Sequence, residues 1–140
     1  MSNVLNTPDG NRPIVLVIED SQTQALHLQA LLTPEALEVA LAFDGESGLA
    51  MAREMHPDVI ILDVQMPDMN GFQVCEALAR EDDMTDVDII MLTCRDDQEA
   101  VVQGLEAGAV DYIPKDAFSD AVLLETLRQM GIIDSRSEET

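Results

Sequence analysis

The sequence predicts an α/β fold: one parallel sheet covered by helices on both faces. Three observations carry that expectation. The runs Ile14-Val15-Leu16-Val17-Ile18, Val59-Ile60-Ile61-Leu62 and Asp88-Ile89-Ile90-Met91-Leu92-Thr93 lack polar alternation, as strands buried on both faces do. Between the runs lie amphipathic stretches of about 10 to 14 residues, helices that force parallel crossovers. Each run also ends on polar residues: Glu19-Asp20, Asp63 and Thr93. In a parallel sheet these ends share one edge, where open α/β folds form their ligand crevices.

Met1 to Arg12 is polar, holds Pro8, Asp9 and Gly10, and reads as a flexible tail. After the first strand, Ser21 is placed as an N-cap with Gln24 completing a capping box. The helix runs to about Leu32 with Ala25, Leu28 and Leu32 inward, and Thr33-Pro34 ends it. His27 lies off that face and is expected in solvent. Val39 to Phe43 is a short strand, and Asp44-Gly45 turns into a helix from Glu46 to Met55, which Pro57 stops. His56 falls in the loop before that proline. The strand Val59 to Leu62 runs into Asp63 and the turn residues Pro67, Asp68, Asn70 and Gly71. Phe72, Cys75, Leu78 and Ala79 then mark a helix face that dissolves in Glu81-Asp82-Asp83. The fourth strand is followed by a helix from Asp96 to Ala107, whose internal Gly104 costs roughly 1 kcal/mol relative to Ala. Val110 to Ile113 is a fifth strand cut by Pro114, and Lys115 follows. Phe118 to Met130 is an amphipathic helix using Val122, Leu123, Leu127 and Met130, with Gly131 as its C′ stop. Residues 133–140 form a polar tail. Five β-α units in this order fit a flavodoxin-like doubly wound sheet, strand order 2-1-3-4-5, over residues 13–132.

A chain of 140 residues is one domain with a real core. Seven basic against 28 acidic residues give a net charge of −21, which argues strongly against a nucleic-acid or anionic-membrane surface. The balance suits a cationic ligand or a basic protein patch. Cys75 and Cys94 lack metal-ligand spacing and read as small buried thiols of a reducing compartment. No signal peptide is recognisable, and no apolar run approaches about 18 residues, so a cytoplasmic protein is expected.

The shared edge would gather Glu19, Asp20, Asp63, Thr93 and Lys115. Three neighbouring carboxylates repel unless a cation sits among them, and a hard divalent ion with oxygen ligands, Mg²⁺ above all, suits the set. Lys115 is a mobile point charge suited to phosphate, and Thr93 adds a hydroxyl. An aspartate can form an acyl phosphate, with the metal and lysine stabilising charge on the non-bridging oxygens. Gly-rich phosphate loops, G-x-S-x-G and H-E-x-x-H are absent.

Glu19-Asp20, the run L-D-V-Q-M-P-D-M-N-G from Leu62 to Gly71, Thr93, and G-A-V-D-Y-I-P-K from Gly108 to Lys115 resemble the receiver domains of two-component response regulators. The resemblance is of the single-domain, chemotaxis-regulator kind and spans nearly the whole chain. It implies a signalling phosphoacceptor, not a metabolic enzyme, in which Asp63 takes phosphate from a histidine kinase or phosphotransfer protein. It implies Mg²⁺ (or Mn²⁺) on Glu19, Asp20, Asp63 and the Gln65 backbone carbonyl, with Thr93 and Lys115 on the phosphoryl group. Tyr112 matches the aromatic that reorients as Thr93 moves, and Gln65 and Arg95 match positions that tune phosphoryl lifetime. The output face would be the fourth helix, fifth strand and fifth helix. Three features bear on how closely the chain follows the pattern: Asp116 stands where proline in a cis bond normally follows the lysine, Cys94 replaces the commonest residue, alanine, and Gln65 and Arg95 occupy the variable positions two beyond Asp63 and Thr93. A stand-alone receiver is the leading expectation. A degenerate receiver acting as a phosphorylation-independent binding module is the alternative. A phosphohydrolase of the haloacid-dehalogenase type would need an acid where Gln65 stands.

Overall fold

The computed structural model describes residues 12–134, so the expected tails lie almost wholly outside the described residues. Five parallel strands, β1 (Ile14–Ile18), β2 (Glu38–Ala42), β3 (Val59–Leu62), β4 (Asp88–Thr93) and β5 (Asp111–Pro114), form one sheet in the order β2-β1-β3-β4-β5. Five helices connect or follow them: α1 (Gln22–Leu32), α2 (Gly45–Met55), α3 (Gly71–Ala79), α4 (Gln98–Ala107) and α5 (Ser119–Gln129). The doubly wound fold is therefore the one the strand pattern predicts.

The absence of polar alternation in β1 and β3 has a direct structural cause, because both strands are central and covered twice. Leu16, Ile18, Ile60 and Leu62 point to a core formed with Leu49 and Ala52 of α2, Phe72, Val74 and Leu78 of α3, and Ala100 of α4. Their neighbours Val15, Val17, Val59 and Ile61 point to the opposite core, with Leu28 and Leu32 of α1 and Leu123 and Leu127 of α5. Ile133 also packs in this second core, one residue beyond the expected domain end. Full burial of each such aliphatic side chain is worth roughly 1.5–3 kcal/mol.

Helix starts follow the local chemistry. Asp44 accepts from the Ser47 N–H and Asp97 from the Ala100 N–H, while Asn70 and Gln73 form a reciprocal capping box; each such cap contributes about 1 kcal/mol. At the end of α5, Gly131 takes φ 79°. Its N–H donates to Arg128 and that of Ile132 to Leu127, a Schellman closure.

Several local expectations need correction. Ser21 caps α1, but the Gln24 side chain does not return to close the box; it reaches Lys115 instead. Thr33-Pro34 does end α1 at Leu32 as expected, but a 3₁₀ turn, Thr33–Glu35, follows directly, with proline tolerated near its start. Pro114 lies inside β5 and pairs with Thr93; β5 is an edge strand, where a missing N–H costs no ladder bond. In α3, Val74 is buried and Ala79, the last helical residue, is exposed. His27 is exposed, but its Nε2 lies 2.7 Å from Asp120 Oδ2, joining α1 to α5. His56 caps α2 in the left-handed region, φ 49°. Gly104 is a packing requirement: a Cβ there would lie 2.8 Å from Met91 Sδ and 2.9 Å from Tyr112 Cδ2.

The cysteines differ from each other. Cys75 is fully buried, its Sγ donates to the Ala107 carbonyl at 3.3 Å, and burial pushes its thiol up to about 11. Cys94, expected to be buried, is exposed because the chain leaves the sheet directly after Thr93. Thiol titration of the native protein with a disulfide reagent should therefore find one fast cysteine, Cys94, and the second only after denaturation. Two fast thiols would contradict the packing of α3 against α4.

Candidate functional site

Register places the polar strand ends side by side. Ile18 pairs with Leu62, Leu62 with Met91, and Thr93 with Pro114. The ladder continues one step beyond the strands: Asp63 N–H donates to Ile18 at 3.1 Å, Glu19 N–H to Ala42 at 3.0 Å, and Lys115 N–H to Thr93 at 2.8 Å. The backbones of Glu19, Asp63 and Lys115 are thus held by the sheet itself.

Carboxylate oxygens of Glu19, Asp20 and Asp63 all lie within 4.8 Å of one another. Glu19 (3% exposed) and Asp63 (8%) are buried, whereas Asp20 is exposed. The Lys115 ammonium enters from β5, donating to Glu19 Oε1 at 2.7 Å, to Asp63 Oδ2 at 3.4 Å, and to the Gln24 side-chain oxygen. The second Glu19 oxygen accepts from the Ser21 N–H at 3.1 Å, and Asp63 Oδ1 from the Gln65 N–H at 3.3 Å. Burial pushes the Glu19 carboxyl above its usual range, although Lys115 and the Ser21 N–H pull it down. Burial acts to lower the Lys115 ammonium, but the hydrogen bond to Glu19 and the charge of Asp63 prevail and hold it above its usual value. The cluster stores negative charge where water is partly excluded, with one cation to offset it.

Thr93 is completely buried, and its Oγ1 accepts from the Arg95 N–H at 3.3 Å. The Arg95 carbonyl in turn accepts from the Tyr112 hydroxyl at 2.7 Å. Tyr112 is therefore packed inward against α4, in the space that Gly104 leaves. The Arg95 guanidinium is committed to the start of α4. It pairs with Asp97 at 3.0 and 3.2 Å, the residue that caps α4.

Two contacts fix the loop after Asp63. Asp68 accepts from the Gly45 and Glu46 N–H groups at 3.0 and 2.9 Å, binding the loop to the start of α2. These bonds hold the Asp68 carboxyl below its usual range. Gly71 N–H donates to Val64 at 2.8 Å, and a Cβ at Gly71 would lie 2.5 Å from the Asp63 backbone oxygen. No flexible side chain can yield there. Gly71→Ala should cost about 1–3 kcal/mol in urea unfolding, the range for overpacking; an unchanged midpoint would show that the backbone can move aside.

All three acids offer hard oxygen donors within 4.8 Å of one another, two of them on buried residues, a donor set suited to a small divalent cation. The donor set therefore fits Mg²⁺ or Mn²⁺. Of the residues expected at the site, Glu19, Asp20, Asp63 and Lys115 converge directly. Thr93 lies in the adjoining Arg95–Tyr112 chain. Sequence reasoning missed Gln24 as a partner of Lys115 and Asp68 as an anchor. The only sequence signal for Gln24 is its position one helical turn after Asp20.

The sequence model of the response regulator receiver domain matches residues 15–128 of the 140. The chain belongs to that family. Among curated proteins, this receiver domain is similar to the transcriptional regulatory protein AfsQ1 of Streptomyces coelicolor, 45% identical over 103 residues, which are 74% of this chain and 44% of AfsQ1. It is also similar to the DNA-binding response regulator MtrA of Mycobacterium tuberculosis, 40% identical over 107 residues, 76% of this chain and 46% of MtrA. The receiver domain thus spans less than half the length of these relatives. Its backbone superposes on the chemotaxis protein CheY4 of Vibrio cholerae with TM-score 0.78 and 33% identity, covering 84% of this chain and 98% of that one. Receiver domains, as a family, are the signalling phosphoacceptors of two-component systems. Among the described residues, no helix is long and apolar enough to cross a membrane.

Proposed function

We propose that this receiver accepts a phosphoryl group on Asp63 from a phosphohistidine of a histidine kinase or phosphotransfer protein. One observation carries the reading: three carboxylates with oxygens within 4.8 Å of one another, and the Lys115 ammonium among them at 2.7 Å from Glu19 and 3.4 Å from Asp63. An Asp63 oxygen forms the new bond to phosphorus. The bond from phosphorus to the donor imidazole nitrogen breaks, and its electron pair stays on that nitrogen. Glu19, Asp20, Asp63 and the Gln65 backbone carbonyl would hold Mg²⁺ or Mn²⁺, which when bound supplies positive charge to the non-bridging oxygens. Lys115 adds a second positive charge, and the Thr93 hydroxyl is assigned to a phosphoryl oxygen.

The contact chain from Thr93 to Tyr112 supports a switch. Movement of Thr93 toward a phosphoryl oxygen would pull on Arg95, and through its carbonyl on Tyr112, which packs under Gly104 of α4. Such a change biases a two-state element. The exposed Val102 and Leu105 on α4, Val110 before β5 and Val122 on α5 support that face as the output surface. Gln65 and Arg95 are assigned to phosphoryl lifetime, Arg95 acting from its pairing with Asp97. The net charge of −21 supports a protein partner rather than nucleic acid for this domain, and a cytoplasmic setting is part of the same reading.

Incubation with acetyl phosphate and Mg²⁺, followed by intact mass, should show one labile phosphoryl adduct that chelation prevents. If no adduct forms even with a phosphorylated phosphotransfer protein as donor, the phosphorylation-independent binding module takes its place. Rapid turnover of phosphomonoesters would point instead to a hydrolase.

A further inference from the structure

The Lys115 ammonium has three acceptors from three elements: Glu19 after β1, Asp63 after β3, and Gln24 in the first turn of α1. They are not equivalent. Glu19 is a candidate metal ligand, and Asp63 is both a candidate ligand and the group proposed to be phosphorylated. Gln24 alone is neutral, lies outside the acid cluster, and keeps its oxygen available whatever happens at the other two. Its backbone is fixed independently, since the Gln24 N–H donates to the Ser21 cap at 3.3 Å. The capping-box role that its position suggests is unfilled, because the side chain turns to Lys115. After Lys115 the chain is held by Asp116, whose side chain accepts from the Phe118 N–H at 2.8 Å and whose carbonyl accepts from the Ser119 hydroxyl at 3.0 Å. These bonds fix the loop but do not touch the ammonium.

We propose that Gln24 is a positioning residue: its side-chain oxygen tethers the Lys115 ammonium at the mouth of the site while Glu19 and Asp63 are engaged elsewhere. This rests on the phosphoacceptor reading for its consequence but not for its test. A neutral acceptor suits the task, because it orients the cation without withdrawing its charge from the phosphoryl oxygens. A carboxylate in the same place would hold the lysine too strongly.

Lys115 is the single lysine of the chain, so its reactivity can be followed alone. The full-length protein, with and without Mg²⁺, is acylated with the N-hydroxysuccinimide ester of acetic acid, and peptide mapping separates Lys115 from the terminal amine. In Mg²⁺, Gln24→Ala should raise the Lys115 acylation rate about tenfold, the loss of a hydrogen bond to a charged group, and Gln24→Glu should lower it below wild type. Gln22→Ala, in the same helical turn, should match wild type. Phosphoryl uptake from acetyl phosphate should slow in both Gln24 variants, through a loose lysine in one and a sequestered lysine in the other. Equal acylation of wild type and Gln24→Ala would overturn the tether, as would Gln24→Glu behaving like Gln24→Ala. A wild-type protein that takes up no phosphate would defeat the phosphoacceptor reading, while the acylation rates would still decide the role of Gln24.

Discussion

Asp63→Asn is expected to take up no phosphoryl group from acetyl phosphate in Mg²⁺, under conditions where the wild type gains one. The substitution keeps the shape of a side chain that is only 8% exposed, so the sheet edge survives. What it removes is the nucleophile, because an amide oxygen carries no charge to place on phosphorus. It also relieves repulsion in the cluster with Glu19 and Asp20. Metal-free Asp63→Asn should therefore melt no lower than wild type by calorimetry, which separates lost chemistry from lost structure. A phosphoryl adduct on this variant comparable to wild type would place the acceptor elsewhere.

Lys115→Met should have the second-largest effect, and its direction depends on which property is measured. Losing one preorganised positive group beside a developing charge typically costs about 10²–10³ in rate, and initial phosphoryl uptake should fall by that order. Affinity for Mg²⁺ should rise instead, because the ammonium that competes for Glu19 at 2.7 Å is gone. Without metal, the buried Glu19 carboxylate would be left uncompensated, a loss of about 1–3 kcal/mol. Melting curves with and without Mg²⁺ should show that deficit and its recovery on metal addition. A variant with wild-type uptake and wild-type metal affinity would remove Lys115 from the site.

Both predictions concern residues that the amino-acid sequence alone singles out, and the reason is physical. A strand covered on both faces must be apolar along its covered length, so the first polar residue after the run marks its C-terminal end at the sheet edge. Glu19, Asp63 and Thr93 stand at those points in β1, β3 and β4, and parallel pairing then brings them to one edge. Strand order is legible for the same reason, since helical crossovers admit few arrangements. Contacts set by loops rather than by periodicity are not legible. Gln24 meets Lys115 across 91 residues, and Asp68 meets Gly45 across 23. Neither follows from helix or strand spacing. Cys94 escapes a sequence reading because its burial depends on how sharply the chain turns after β4, and Pro114 because its tolerance depends on β5 being an edge.

Direct location of the phosphoryl group tests the central claim best. In freshly phosphorylated protein, borohydride converts an aspartyl phosphate to homoserine: one hydride adds at the acyl carbon and expels phosphate to leave the aldehyde, and a second hydride with a proton from water gives the alcohol. Peptide mapping should find homoserine at position 63, dependent on Mg²⁺, and at no other aspartate. Homoserine at Asp20 or another acid, or an adduct that borohydride leaves untouched, would contradict the assignment of Asp63 as the phosphoacceptor.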